Sequence, residues 1–227
     1  MDTANQWRAL SDEIARCNRC RLCEGRRNVV VGRGSLAAGA MLVGEGPGEQ
    51  EDIQGLPFVG RAGKLLDLAL EGLMYGPDDF YIANIVKCRP PGNRAPLDDE
   101  AEACLPFLRR QFMLIKPAVL VCMGATAAKH IIGKERTITK LRGEWMERKG
   151  WLIMPTFHPA ALLRDESKKA LMWHDLKKAK QRLDSVRAGA DPGLRAGAEP
   201  GFRAGAEPGL RAGVEPGLRA GDSPQKR

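Results

Sequence analysis

No run of 18 or more apolar residues occurs anywhere in the 227-residue chain, so no segment reads as a membrane-spanning helix. No stretch has the basic start, short apolar middle and small-residue end of a secretory signal. The expectation is a protein that neither spans nor crosses a membrane. The Gly-Lys-Ser/Thr ending of a phosphate-binding P-loop is also missing. Gly44, Gly46 and Gly48 are spaced wrongly for a dinucleotide fingerprint, and Pro47 interrupts them. Carboxylates beside that loop would repel phosphate, so nucleotide binding there is disfavoured. Acidic residues fall short of basic ones, 28 against 36, which leaves a net charge of +8 and suits a polyanionic partner.

What is present centres on the stretch from Met41 to Leu66. Ala40, Met41, Leu42 and Val43 read as a short buried strand. It stops at Gly44-Glu45-Gly46-Pro47-Gly48, where glycine permits close approach of a ligand and proline fixes the backbone. Glu49, Glu51 and Asp52 follow, then one aromatic, Phe58, between Pro57 and Gly60. A helical pattern opens after it at Leu65, Leu66, Leu68, Ala69 and Leu73. A long acidic loop thus leaves the carboxyl end of a buried strand, which is where open α/β sheets bind ligands.

From Arg187 the chain repeats an octad, RAGADPGL, RAGAEPGF, RAGAEPGL and RAGVEPGL. Each unit carries one or two sizeable apolar residues and a Pro-Gly break, too little burial to offset ordering it. Residues 187–227 are therefore expected to be a disordered tail, and residues 1–186 the folded domain. The tail has seven basic and five acidic residues, so +6 of the +8 belongs to the body. Strand candidates are 40–44, 80–86, 118–123 and 151–157, with helical patterns at 61–74, 97–114, 124–132 and 168–186. The alternation predicts a three-layer α/β/α sandwich around a four-stranded parallel sheet. Residues 143–150 add a small hairpin before the last strand.

Six cysteines occur, at 17, 20, 23, 88, 104 and 122. Without a secretory context, an even count does not argue for disulfides. A C-x2-C pair with two distant thiols suits zinc or an iron–sulfur cluster, and ligand softness alone does not choose between them. Cys17/Cys20 and Cys20/Cys23 have the same spacing, so either pair could serve, while Cys122 lies in an apolar strand and reads as a buried hydrophobe. Two polar residues close apolar strands. Asn84 sits in the otherwise apolar run Tyr81-Ile82-Ala83-Asn84-Ile85-Val86, and His158 follows Thr156-Phe157 ahead of Pro159, Leu162, Leu163 and Arg164. A buried amide bonded to backbone and a structural histidine are the plain alternatives.

Taken in order, GEGPGEQEDIQGLPFVGRAGKLLD, IANIVKCRPPGNRAP and FHPAALLR resemble the family-4 uracil-DNA glycosylases, the iron–sulfur branch of the uracil-DNA glycosylase superfamily. The resemblance covers roughly residues 10–182 and stops at the tail. It implies a [4Fe–4S] cluster on Cys17, Cys20, Cys88 and Cys104, with Cys23 and Cys122 outside the pattern. It implies a monomer that acts on uracil-containing DNA in the cytoplasm of a prokaryotic cell. The expected uracil pocket comprises Gly44, Glu45, Gly46, Phe58, Asn84 and His158, with His158, Glu45 and Glu51 as catalytic groups.

In this reading Phe58 stacks on the base, Asn84 matches its edge, and His158 donates to O2 as negative charge gathers there. Glu45 positions water, and Glu51 crowds the C5 position of thymine. The best-studied branch has an Asp where this chain has Gly46, which makes water activation the least defined role. Leu162, Leu163 and Arg164 would probe DNA, an apolar wedge filling the gap and the arginine holding a phosphate. Arg89, Arg94 and the arginines between 16 and 21 would lie near the DNA backbone. Two other classes compete: a non-catalytic nucleic-acid module and a redox protein. No histidine occurs in Lys87–Arg94, where one branch forms a covalent DNA adduct, so ordinary turnover is expected.

Overall fold

In the computed structural model the described residues are 2–133, 137–148 and 151–189. The four expected strands are present, as β2 (Ala40–Gly44), β3 (Phe80–Asn84), β4 (Val119–Met123) and β6 (Trp151–Thr156), all mutually parallel where they pair. The sheet nevertheless has six strands rather than four. β1 (Arg33–Gly34) and β5 (Met146–Arg148) add antiparallel edges, giving the order β1-β3-β2-β4-β6-β5. β1 is two residues long and has no alternating pattern to read, which is why the sequence does not announce it. β5 is the first arm of the expected hairpin, whose turn residues 149–150 lie outside the described residues.

The helices in chain order are α1 (Thr3–Ala15), α2 (Leu22–Gly25), α3 (Glu49–Gln54), α4 (Arg61–Gly72) and α5 (Asp98–Ile115). After them come α6 (Ala125–Ile131), α7 (Ile138–Leu141), α8 (Pro159–Leu162) and α9 (Lys168–Arg187). β2 and β4 are buried along their whole length, so consecutive residues serve opposite faces of the sheet. Met41, Val43, Leu120 and Cys122 join Leu10 and Ile14 of α1 and Phe107 and Phe112 of α5 in one core. Ala40, Leu42, Val119 and Val121 join Leu66 and Leu70 of α4 and Met172 and Leu176 of α9 in the other. Two cores on either side of one sheet are the three layers expected.

Two boundaries differ from expectation. The acidic stretch after Gly48 is a helix, α3, rather than loop. Its first turn holds Glu49, Glu51 and Asp52, charges that the helix N-terminus favours. At the other end, α9 includes Arg187, one residue past the expected limit, and its guanidinium pairs with Asp79. The rest of the tail, from residue 190, lies outside the described residues.

Because the four central strands are parallel, their carboxyl ends share one rim. Gly44, Asn84, Met123 and Thr156 close them there, and Asn84 stands directly opposite Gly44 in the ladder.

Candidate functional site

A cleft of about 250 Å³ opens on this rim, and Glu45, Gly46, Glu51, Phe58, Asn84 and His158 all contribute to its wall. Asn84 is 2% exposed, and its Oδ1 finds no donor within the described protein. A buried acceptor without a partner is rare enough to need an explanation. Gly44 explains how the cleft reaches it. A Cβ on Gly44 would lie 2.5 Å from Asn84 Oδ1 and 2.6 Å from the tip of the Phe58 ring. Any side chain there would fill the space between amide and aromatic. Gly46 is equally confined, since a Cβ would lie 2.7 Å from Val86, so a carboxylate has no room at that position.

Phe58 is buried with φ of +54°, a left-handed backbone that a bulky residue seldom adopts. Gly63 makes this possible by packing against the Phe58 carbonyl, where a Cβ would fall within 1.8 Å. Glu51 ties the surrounding loops together. Its Oε1 accepts from the Val59 and Gly60 N–H groups, each at 3.0 Å, and its Oε2 from Gly48 N–H at 3.1 Å. This carboxylate is thus the clamp between the glycine loop and the phenylalanine loop. Glu45 accepts a hydrogen bond from the Thr126 hydroxyl.

His158 caps α8. Its Nδ1 accepts from Ala160 N–H at 3.1 Å, so the neutral ring carries its proton on Nε2. Burial pushes the imidazole down to about 4, helped by the nearby Arg164 charge and opposed by Glu51. The ring keeps an edge on the cleft and lies 5.5 Å from the Phe58 ring, tilted by 33°. Near neutral pH it is an uncharged N–H donor.

Behind the rim lies a second, smaller hollow lined by Cys17, Cys20, Cys23, Cys88 and Cys104. The four thiols of the family pattern therefore converge, and Cys23 joins the same wall. Cys122 is buried elsewhere, in β4. Among the described residues no three His, Cys, Asp or Glu side chains close on a single ion. A polynuclear iron–sulfur cluster would ask for less, since its thiolates need not meet at one ion. The surroundings suit sulfur ligands: Arg26 donates to Cys88 Sγ at 3.3 Å, Lys87 N–H to Cys104 and Leu22 N–H to Cys20. Burial raises the Cys20 and Cys88 thiols and pushes Cys104 up to about 12. Desolvation of this kind favours the neutral thiol, and a bound metal would favour the thiolate.

The family model of the Uracil DNA glycosylase superfamily matches residues 31–177, which include all six strands and most of both helical layers. The type-4 uracil-DNA glycosylase of Thermotoga maritima is 46% identical over 177 residues, covering 75% of this chain and 91% of that protein. Those of Saccharolobus solfataricus and Sulfurisphaera tokodaii are each 40% identical, covering 78% and 76% of this chain and 86% and 82% of theirs. The chain belongs to the uracil-DNA glycosylase superfamily, in its type-4 branch.

Not every residue expected from that family sits as anticipated. Leu162 is 2% exposed and packs in the core, whereas Leu163 is 41% exposed and Arg164 also faces solvent. The core beneath α8 takes up Leu162, which leaves Leu163 as the exposed leucine of the pair. Arg94 lines the cleft but is held by two 2.7 Å bonds to the buried Glu100. Arg21 pairs with Asp99 at 2.7 Å, and Arg89 bonds Asn93 Oδ1 at 2.8 Å. Nothing in the family motifs singles out Lys87 or Arg26. Lys87 is 1% exposed, donates to the Asn84 carbonyl at 2.9 Å and is lowered by burial to about 8. Its flank, Val86-Lys87-Cys88, shows a charge inside an apolar run, the one signal that could have drawn notice. Among the described residues no helix is long and apolar enough to cross a membrane.

Proposed function

We propose that the protein is a monomeric uracil-DNA glycosylase that extrudes uracil from DNA, hydrolyses its N-glycosidic bond and leaves an abasic site. The observation that carries this reading is the buried, unpartnered Asn84 Oδ1 in a cleft shared with Phe58 and a neutral His158. A base inside a duplex is out of reach, so the target must be flipped, which costs least where pairing is weak. Phe58 offers the ring for stacking. Asn84 accepts from uracil N3–H through Oδ1 and donates to O4 through its amide nitrogen. Cytosine presents the reverse order and leaves buried groups unpaired, at ~1–3 kcal/mol each. Glu51, held by three backbone donors, is too fixed to yield to thymine's methyl.

As the bond to C1′ breaks, its electron pair passes to the base and collects at O2, where the His158 Nε2–H donates. The sugar becomes oxocarbenium-like, water adds its oxygen to C1′, and the proton it gives up balances the uracil anion, which leaves as neutral uracil. Glu45, steadied by Thr126, is the group assigned to position that water. Leu163 enters the space left by the flipped nucleotide, and Arg164 engages a phosphate. The thiol hollow is assigned to a [4Fe–4S] cluster held by Cys17, Cys20, Cys88 and Cys104, which when bound cross-links the segment after α1, the segment after β3 and α5. The test is incubation of iron-loaded protein with matched uracil and thymine oligonucleotides, followed by alkali. Strand breaks at uracil alone are expected; none at uracil, or equal breaks at thymine, would overturn the assignment.

A further inference from the structure

Lys87 touches both sites. Its side chain is among the largest that the fold buries completely, and among the described residues no carboxylate pairs with it. It lines the thiol hollow with Cys88 and Cys104, whose sulfurs would favour its charge once ionised. Its backbone N–H reaches Cys104, while its carbonyl accepts from Val30 N–H at 2.8 Å. The ammonium itself donates to the main-chain carbonyl of Asn84 at 2.9 Å.

The topology explains why that carbonyl needs a donor. β1 pairs with Tyr81 and Ile82 and ends there, so the last residues of β3 have no strand on that side. Beyond Asn84, Ile85 and Val86 donate to Gly44 and Glu45, on the opposite side. Asn84 thus stands at the point where the ladder runs out, and the lysine replaces the missing strand. A cation in a dry interior requires compensating charge. Thiolates holding iron would supply it on one side of Lys87, and the Asn84 carbonyl dipole adds to it on the other.

We infer that Lys87 is a positioning residue joining the two sites: drawn by the thiolate side, it grips the Asn84 carbonyl and fixes the amide that reads the base. This rests on the glycosylase assignment above. Metal occupancy and base reading are then linked through one side chain, although no thiol enters the base pocket.

Lys87→Met keeps the length of the side chain and removes charge and donor. In holoprotein with matched iron content, single-turnover cleavage of uracil-DNA at saturation should fall about tenfold, the effect of losing a buried charged hydrogen bond. The cluster's reduction potential should shift to more negative values, because a buried positive charge beside it is gone. A structural role alone would not move that potential. In an Asn84→Ala background the same substitution should cost little more, since the residue being positioned is already absent. A full additional tenfold loss there, or an unchanged potential with unchanged cleavage in the single variant, would overturn the inference. Should Lys87→Met fail to accumulate, Lys87→Arg decides through the same two readouts: retained charge with a displaced donor should keep the potential and still lower cleavage, and wild-type cleavage would overturn it. Wild-type protein inactive on uracil-DNA would instead defeat the glycosylase assignment, and the potential shift alone would remain.

Discussion

At the scale of single residues, the proposed chemistry depends on a histidine that is kept neutral. Ala160 N–H occupies His158 Nδ1, so protonating that nitrogen would set two donors against each other. Burial acts in the same direction and holds the group near 4. His158→Ala should lower the single-turnover rate by about 10²–10³, the usual loss on removing one donor to a developing anion, with binding of uracil-DNA nearly kept. The rate carried by His158 should be level around neutrality, because the ring does not change charge until pH approaches about 4. Stability responds to pH sooner. Between about 4 and the unfolded value near 6.5, the unfolded chain takes up a proton that the native one refuses, so stability declines as pH is lowered across that window. Melting curves of the wild type and of His158→Ala across pH 4 to 7 check this: the variant should lose less stability on acidification.

At the scale of elements, α3 and α8 are the parts where local pattern and outcome diverge. Both are a few residues long, four for α8 and six for α3, too short for a helical period to show against the loop chemistry around them. The long helices and the four buried strands were legible because each has a periodic or continuously apolar stretch. Asn84, His158, Phe58 and the paired thiols were legible as odd residues at strand ends or at fixed spacing. The orientation of the leucines was not, since facing on a one-turn helix is decided by what packs beneath it. This gives a sharp contrast between neighbours. Leu162→Ala should cost about 2–5 kcal/mol of stability, as expected for a large residue removed from a core. Leu163→Ala should leave the melting temperature within a degree or two and slow excision from double-stranded more than from single-stranded uracil-DNA. Equal behaviour of the two variants in both measurements would contradict the wedge assignment.

At the scale of the whole molecule, the thiol hollow draws on segments far apart in the chain, with Cys17 and Cys20 beyond α1, Cys88 after β3 and Cys104 on α5. Purified protein should contain about four irons, and Cys88→Ala should lose them together with much of its thermal stability. Stoichiometric zinc in protein produced with ample iron would contradict the cluster. The opposite end of the chain is expected to matter far less. Ending it after Gly189 should leave melting temperature and cleavage nearly unchanged, because Pro-Gly-broken octads bury too little to support a core. Ending it after Val186 also removes the Arg187–Asp79 pair, whose arginine is 44% exposed, and should cost less than about 1 kcal/mol.

The unpartnered oxygen of Asn84 also bears on how the product leaves. The described protein supplies no donor to this acceptor, so a ligand that brings one is favoured over a ligand that does not. The released base carries the same N3–H as the base in the strand, so the product fits the place it has just left. Free uracil should therefore behave as a ligand of the native state: it should raise the melting temperature in a concentration-dependent way, and thymine and cytosine should not. It should also compete with substrate. Asn84→Ala should abolish both effects. If Asn84 reads the base in this way, excised uracil should hold the cleft against the next substrate, and multiple-turnover rates should fall as free uracil is added.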